Sequence, residues 1–291
     1  MRNTDFCVFI LTHKRPDRVT TYNTLKRAGY TGPLFLVVDD EDPTLADYQR
    51  KYLGKVLTFS KQQLWQQFDM GDNRPSRATV TYARNACFDL ARQQGFRYFV
   101  QLDDDYQQLL WKTDHQLNYV EKKIKDIEAV FDIMLDYYRS IPAASIAMAQ
   151  NGDYIGGKRA GIAASTRPLR KAMNSFFCDT ERQFQFVSRM NDDVTTYVTH
   201  TRRGALFLTV PMLSVQQKQT QANSGGLTDM YLESGTYQKS FYTVMYEPSC
   251  TVVAEMGDAH RRLHHRISWP NCAPLILPEW CRKAARDNHS A

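Results

Sequence analysis

Short apolar runs alternate with amphipathic stretches through the first third of the chain. The runs at 6–11, 34–38 and 98–102 are rich in aromatic and β-branched residues, which is typical of buried strands. Between them, the apolar period and the terminating glycines predict helices, one ending at Gly29 and another over 78–94. This alternation predicts an α/β fold, Rossmann-like, with a mostly parallel, doubly wound central sheet.

The rest of the chain is less regular, and its predicted elements differ in kind. The pattern predicts helices and strands at 120–139 (helix), 144–149 (strand), 205–210 (strand), 228–246 (helix) and 249–254 (strand). The stretch 216–226 is polar and without a period, which predicts a flexible loop.

Composition narrows the class of protein. The chain has 291 residues, 43% of them hydrophobic, which is enough for one large domain with a real core. It shows neither a signal peptide nor a membrane-spanning run, and its six cysteines form no CxxC pair, so we expect reduced thiols, a cytoplasmic location and no membrane partner. The net charge of +6 suits a polyanionic partner, but it also suits an enzyme with small anionic substrates.

Three adjacent carboxylates follow the third apolar run. A core does not tolerate such a cluster without partners, so the strand must end at Asp103, Asp104 and Asp105. Alternation places Asp103 and Asp105 on the same side of the strand, where they can share a hard divalent ion such as Mg²⁺ or Mn²⁺. The alternative interpretation is an acidic turn after a strand.

Polar residues also follow the first two strands. The first run ends in the basic loop 12–18, and the second ends in the acidic run 39–42. Open α/β sheets bind ligands at the carboxyl ends of their strands, and an acidic residue after the second strand commonly accepts hydrogen bonds from a ribose or a base. Because the chain has no G-x-G-x-x-G and no P-loop motif, the usual dinucleotide and P-loop sites are unsupported. A solvated loop is the alternative for 12–18.

Three motifs together resemble the glycosyltransferases of the GT-A fold. They are Thr-His-Lys-Arg-Pro at 12–16, Ala-Arg-Asn-Ala at 83–86 and Asp-Asp-Asp at 103–105. The resemblance implies a nucleotide-sugar donor whose diphosphate binds Mn²⁺ or Mg²⁺ at the aspartates, with Asp105 as the direct ligand and Asp103 at the metal or the ribose. It implies a donor site lined by Thr12, His13, Arg15, Asp39, Asp40, Arg84, Asp103 and Asp104. For Arg84, an ion pair with the acidic cluster is a second interpretation.

Two further groups gain a role from the same resemblance. A hydroxyl acceptor needs a base, and in inverting members of this fold an acidic residue lies at about the place of Asp192 and Asp193; we favour Asp193. Capping of the following helix by one of them is the alternative. A late histidine often completes the metal site in this fold, which implies His264 or His265 as a ligand; a basic surface segment is the alternative.

Four features lie along the chain: Thr-His-Lys-Arg-Pro at 12–16, Gly-Asp-Asn at 71–73, Asn-Asp-Asp at 191–193 and a His-rich segment at 260–266. Together they resemble the TET/JBP-associated glycosyltransferases of bacteriophages. This resemblance implies one domain over 1–291, with a nucleotide-sugar half at 1–110 and an acceptor half at 111–291. It implies transfer from a UDP-sugar or similar donor to a hydroxymethylated pyrimidine, such as hydroxymethylcytosine, in phage DNA. Basic loops that could meet DNA phosphate are 158–159, 167–171 and 202–203. The alternatives are a glycan or protein acceptor, a nucleotidyltransferase, and a non-catalytic DNA-binding module.

Overall fold

A nine-stranded sheet forms the centre of the protein. The structure, a computed structural model, describes residues 2–217, 228–256 and 261–273. The strands are β1 Phe6–Leu11, β2 Leu34–Asp39, β3 Val56–Phe59, β4 Tyr98–Asp103, β5 Tyr106–Thr113, β6 Tyr119–Lys123, β7 Ser145–Gln150, β8 Ser175–Asp179 and β9 Phe207–Gln217. Their order in the sheet is β3-β2-β1-β4-β8-β7-β9-β5-β6.

Helices and a small second sheet surround this centre. The helices are α1 Thr20–Arg27, α2 Leu45–Lys51, α3 Lys61–Trp65, α4 Thr81–Gln93, α5 Ile127–Ser140, α6 Asp192–Arg202, α7 Thr228–Tyr246 and α8 Trp269–Cys272. An antiparallel pair, β10 Thr251–Met256 and β11 Arg262–Ile267, forms the second sheet. No helix in the described part of the chain is both long and apolar enough to cross a membrane.

The parallel part of the sheet brings three strand ends to one edge. Strands β3, β2, β1 and β4 are parallel neighbours, and Leu11 at the end of β1 is paired with both Val37 and Asp103. Beyond β4 the sheet is mixed, because β8 joins it antiparallel and β7 pairs parallel with β9. The predicted α/β fold is confirmed, and the loops after β1, β2 and β4 share one edge.

The core lies on both faces of the sheet. Alternation along β1 sends Phe6, Val8 and Ile10 into a cluster with α1 and α5, while Cys7 and Phe9 enter a second cluster with α4 and α6. All five side chains are fully buried. A strand covered on both faces is apolar at every position, which is why the run 6–11 could be identified from sequence.

The helix predicted over 120–139 is wrong in its first third. Residues up to Lys123 form β6, which pairs antiparallel with β5, and the helix begins at Ile127. Asp126 caps it, with its Oδ1 accepting the N–H of Ala129 at 3.0 Å. The helical apolar period includes Ile124, but its N–H bonds to the carbonyl of Leu109 on β5. Pairing with β5 therefore decided the structure of this segment.

A strand is present where one was predicted at 249–254, as β10. It pairs with β11, which was not predicted, in the separate two-stranded sheet. In the loop predicted over 216–226, residues 216 and 217 belong to β9, and the rest lies outside the described residues. The described cysteines are free and buried, as expected from their spacing, and Cys281 lies outside the described part.

Candidate active site

The turn after β4 is held at the edge of the sheet by α1. Thr21 donates its hydroxyl to the carbonyl of Asp103 at 2.6 Å and its backbone N–H to the carbonyl of Asp104 at 3.1 Å. Because these bonds fix the backbone, the three aspartates remain at the rim, as the end of an apolar strand predicted. Asp104 is buried, whereas Asp103 and Asp105 are half-buried.

Three of the predicted donor residues contact one another. The Asp104 carboxylate accepts the Thr12 hydroxyl at 2.7 Å and the Arg15 Nη1 at 3.1 Å. The Tyr48 hydroxyl lies 2.8 Å from the Thr12 hydroxyl and accepts the Arg15 N–H at 2.8 Å. Burial raises the pKa of Asp104, and Arg15 and Thr12 oppose that rise. These contacts fix the loop after β1 against the aspartate turn.

A second network holds the end of β2. His13 Nδ1 lies 2.7 Å from Asp39, and the Lys61 ammonium lies 2.9 Å from the other oxygen of the same carboxylate. Burial raises the pKa of Asp39, but the hydrogen bonds and charges of His13 and Lys61 outweigh it and lower the pKa to about 2. Asp39 is therefore an ionised, fully paired carboxylate. Asp40 is exposed and accepts the backbone N–H of Lys61 at 3.0 Å.

Within the described residues, one group has the geometry of a metal site. It consists of His13, Asp39 and Asp42, whose ligand atoms all lie within 4.8 Å of one another. Their oxygens are nevertheless occupied. Asp42 accepts the N–H of Lys14 at 2.6 Å and both the N–H and hydroxyl of Thr44 at 2.7 Å. The Lys61 ammonium already supplies a cation at Asp39. We interpret the group as a hydrogen-bonded support of the loop, and neither Asp42 nor Lys61 was identified from sequence.

Arg84 links the aspartate turn to the second half of the chain. Its Nη2 donates to Asp103 at 3.0 Å and its Nε donates to Asp192 at 2.7 Å. The guanidinium is buried, 5.1 Å from the ring centroid of Phe176 and 5.8 Å from that of Phe186. Burial alone would lower the pKa of Arg84, but Asp103 and Asp192 outweigh it and raise it. The ion pair considered for Arg84 therefore exists.

Asp103 lies close to several other carboxylates. Burial, reinforced by the charges of Asp105, Asp192 and Asp104 and opposed by that of Arg84, raises the pKa of Asp103 to about 7. Carboxylates that repel one another at a strand end form an oxygen-rich donor set, which is what Mg²⁺ and Mn²⁺ prefer. The chemistry of these carboxylates suits a divalent cation, and the role of Asp103 and Asp105 as its ligands stays a prediction.

The two aspartates of α6 have different partners. Asp192 pairs with Arg84, whereas Asp193 Oδ1 accepts the N–H of Val194 at 2.7 Å. Asn191, with a left-handed φ of 57°, occupies the N-cap, so neither aspartate is the capping residue that the alternative required. Burial, followed by repulsion from Asp192, raises the pKa of Asp193. A carboxylate with a raised pKa is a better proton acceptor.

The predicted late histidines lie beside this helix. The Asn191 amide nitrogen is 3.2 Å from His265 Nδ1 and 2.7 Å from the Thr243 hydroxyl on α7. The rings of His264 and His265 are 4.2 Å apart between centroids. Burial lowers the pKa of both, that of His265 to about 3, so both are neutral near pH 7. Their role as metal ligands stays a prediction.

Lys239 on α7 also belongs to this region. Its charge lowers the pKa of Asp193 and of both histidines, behind the effect of burial in each case. It lies one helical turn before Thr243, which contacts Asn191. Its sequence context carries no signal for this, because the helix reaches the site only through tertiary packing.

A buried ion pair precedes α6. Arg189 is 1% exposed, and its guanidinium donates to the two oxygens of Asp72 at 2.7 and 3.0 Å. Tyr242 on α7 also donates its hydroxyl to Asp72. The backbone of Arg189 is tied to Met70 and Thr79, at 3.1 and 2.9 Å. This network fixes the segment that leads into Asp192, and sequence reasoning missed it.

Several solved structures are similar to this chain at low sequence identity. The glucosyl-3-phosphoglycerate synthase from Mycobacterium tuberculosis, in complex with Mg²⁺ and UDP, is 10% identical with a TM-score of 0.47, covering 90% of this chain and 87% of that one. The mannosyltransferase PcManGT from Pyrobaculum calidifontis, in complex with GDP-Man and Mn²⁺, is 12% identical with a TM-score of 0.44, covering 84% and 73%. S. aureus TarS is 13% identical with a TM-score of 0.40, covering 82% and 65%.

The sequence itself matches a defined family. No curated protein matches the chain in sequence. The profile of the TET-Associated Glycosyltransferase family matches residues 6–226, which contain the three strand ends, Arg84 and both aspartates of α6. Since the match covers about three quarters of the 291 residues, the chain belongs to the TET-associated glycosyltransferase family.

Proposed function

We propose that the protein transfers a sugar from a nucleotide-sugar, a UDP-sugar or a close analogue, to a hydroxymethylated pyrimidine base in phage DNA. The observation that carries the proposal is the Arg84 bridge, which joins Asp103 of the aspartate turn to Asp192 beside the candidate base. Donor and acceptor groups of one reaction must lie this close together. The DNA acceptor is supported by the family's association with TET proteins and by the net charge of +6.

The donor would bind at the shared edge of β1, β2 and β4. Asp105 and Asp103 would hold Mn²⁺ or Mg²⁺, with His264 or His265 as a further ligand. The ion, when bound, neutralises charge that develops on the departing diphosphate. The nucleoside side would be formed by Thr12, His13 and Arg15 after β1, by Asp39 and Asp40 at the end of β2, and by Asp104 after β4. Hydrogen bonds between these segments hold it in shape.

The acceptor would be activated by Asp193. Its carboxylate takes the proton of the hydroxymethyl group while the hydroxyl oxygen forms a bond to the anomeric carbon. The bond from that carbon to the diphosphate breaks, and the nucleoside diphosphate leaves with the electron pair. Asp192 keeps its contact with Arg84 and positions it, so the two aspartates have separate tasks.

The proposed DNA acceptor has consequences for how the target pyrimidine reaches the site and for the compartment in which the protein works. A pyrimidine inside a duplex cannot reach the site, so we propose that the target base is turned out of the stack. Of the predicted basic loops, 158–159 and Arg203 are exposed, whereas Lys171 pairs with Asp153 and Arg202 with Glu247. Free, buried cysteines suit a reducing compartment, and we propose the cytoplasm of the host cell.

A transfer assay tests the acceptor. Purified protein is incubated with a panel of labelled nucleotide-sugars, with Mn²⁺ or EDTA, and with hydroxymethylated or unmodified duplexes of the same sequence. We expect metal-dependent label in hydroxymethylated DNA alone. Label on a glycan or protein acceptor, with none on hydroxymethylated DNA at low ionic strength, would overturn the DNA assignment and leave the glycosyltransferase assignment intact.

A further inference from the structure

A polar cavity of about 340 Å³ lies on the outer side of the loop between β1 and α1. It is bounded by that loop, by α1 and by the end of α2. The side chains that matter for its chemistry are Asp17, Arg18, Tyr22, Arg27, Lys51 and Tyr52. Asp17 and Arg18 end the basic loop 12–18, but none of the six belongs to the three sequence motifs or to the active-site network above.

The cavity is strongly positive. Arg18, Arg27 and Lys51 converge on it against a single carboxylate, that of Asp17. Asp17 lies 2.9 Å from the Lys51 ammonium, but the two side chains are 88% and 44% exposed. An ion pair this exposed contributes little, so it does not hold Lys51 against an anion.

Two further cations flank the aromatic wall of the cavity. The Lys26 ammonium lies 4.9 Å from the ring centroid of Tyr22, and the Lys55 ammonium lies 3.3 Å from its hydroxyl. Burial raises the pKa of Tyr22, but Lys26 and Lys55 outweigh it and lower the pKa, as a positive potential requires. The wall itself is rigid, because Tyr22 and Tyr52 pack edge to face at 5.1 Å between centroids.

Helix dipoles do not account for the whole cluster. Lys26 and Arg27 lie in the last turn of α1, and Lys51 lies in the last turn of α2, where cations are ordinarily favourable. Arg18 instead precedes the first residue of α1, where the helix dipole disfavours a cation, and no acidic residue lies in that first turn to compensate. The helix dipole therefore does not explain the presence of Arg18 in this cluster.

The cavity adjoins the aspartate turn. Thr20 lines it, and the next residue, Thr21, makes the bonds to the carbonyls of Asp103 and Asp104. The Tyr52 hydroxyl donates to the carbonyl of Pro16 at 3.1 Å, which joins the cavity wall to the loop that holds Thr12 and Arg15. A polyanion bound in the cavity would therefore lie next to the aspartate turn.

We propose that this basic cavity binds backbone phosphates of the DNA strand next to the target base. The proposal rests on the proposed DNA acceptor. Duplex DNA carries about one negative charge per 1.7 Å of helix axis, so a cluster of Arg18, Lys26, Arg27, Lys51 and Lys55 meets several phosphates at once. Contacts of this kind fix the register of the protein on DNA and carry no sequence information.

The double variant Arg18→Gln/Arg27→Gln tests the cavity. Binding to a fluorescein-labelled hydroxymethylated duplex is measured by anisotropy over a series of salt concentrations. We expect at least about tenfold weaker binding at low salt, and a slope of log K against log salt that is smaller by about 1.8, since each phosphate contact contributes about 0.9. Nucleotide-sugar affinity and donor hydrolysis without DNA should equal those of the wild type.

The matched control removes the same charge elsewhere. Lys122 and Lys123 are exposed on β6, an edge strand of the sheet, and neither lines the cavity, so Lys122→Gln/Lys123→Gln changes the net charge equally. We expect that control to keep the wild-type slope. Equal losses in both double variants, or wild-type binding by Arg18→Gln/Arg27→Gln, would overturn the cavity proposal alone. A wild-type protein that binds no DNA at any salt would overturn the acceptor assignment with it.

Discussion

The donor side and the acceptor side of the candidate site are built differently. On the donor side, Asp104 is held by Thr12 and Arg15, and Asp39 is held by His13 and Lys61, all within the first 110 residues. The acceptor side depends on partners far away in sequence, since Asp192 needs Arg84, 108 residues earlier. Likewise, Asn191 contacts α7 and β11.

This difference predicts how far the effect of a substitution on each side should spread. A self-contained donor loop keeps its shape when the second half of the chain is perturbed. The acceptor side forms only when α4, α6 and the C-terminal elements have packed, so a change at one contact alters the position of several groups. Arg84 belongs to both sides, and it is the residue through which they are coupled.

The largest effect is expected at Asp105. Asp105→Asn removes a proposed metal ligand while keeping side-chain size, so we expect transfer to be abolished. A metal ion contributes several kcal/mol to the transition state, which corresponds to a loss of roughly 10³-fold or more. Metal-dependent nucleotide binding, measured by calorimetry with and without Mn²⁺, should weaken in parallel, and the melting temperature should change little.

The control for Asp105 is Asp89→Asn. Asp89 lies on α4 with a 67% exposed side chain and pairs only locally with Arg92, so the same charge is removed away from the site. Turnover should stay at the wild-type level there. Wild-type-like turnover in Asp105→Asn instead would remove the metal assignment and leave the donor side without its central group.

The next comparison separates the two aspartates of α6. Asp193→Asn should lower the transfer rate by roughly 10²- to 10⁴-fold with stability nearly intact, because the proton acceptor is lost. Asp192→Asn weakens the bond to the buried Arg84, so it should cost about 1–3 kcal/mol of unfolding free energy and lower the rate less than Asp193→Asn does. Single-turnover rates and urea unfolding measure both. Normal rates in both variants would mean that the proton leaves by another route, such as the donor phosphate in a retaining mechanism.

The grouping of the proposed donor-side residues was predictable from sequence because these residues follow strand ends. The apolar runs showed where β1, β2 and β4 lie. Because these strands are parallel neighbours, the polar residues that follow them lie at the same edge of the sheet. Lys61 escaped notice because a lysine at the start of a short helix has no distinctive context, although it lies 2.9 Å from Asp39.

The acceptor side was predictable only in part. Asp192 and Asp193 could be located at a helix start, but their separate partners could not, because pairing with Arg84 is a property of the folded chain. The Asp72–Arg189 pair spans 117 residues and leaves no pattern in the sequence. The same limitation explains the error at 120–126, where pairing with β5 decided the structure against the local apolar period.

A smaller effect is expected from Arg189→Lys. Lysine keeps the charge but cannot make the two parallel bonds to Asp72, so the segment leading into Asp192 should loosen. We expect the maximal rate to fall by up to about 10²-fold, as for a small misplacement of catalytic groups, with nucleotide-sugar affinity unchanged. Steady-state kinetics with separate donor-binding measurements would show this split. An equal loss of donor affinity would mean that the two sides are not independent.

The smallest effect concerns Asp39 and appears as a pH dependence. Its pKa falls from an ordinary 3.8 to about 2 on folding, so the carboxylate stabilises the native state by about 2 kcal/mol above pH 3.8. A depressed pKa means that this contribution is lost as the pH falls from about 4 towards 2. The unfolding free energy of the wild type should therefore approach that of Asp39→Asn over this range, while the two differ by a constant amount above pH 5. Urea titrations at several pH values measure the difference, and a gap that stays constant down to pH 2.5 would show that His13 and Lys61 do not hold Asp39 ionised.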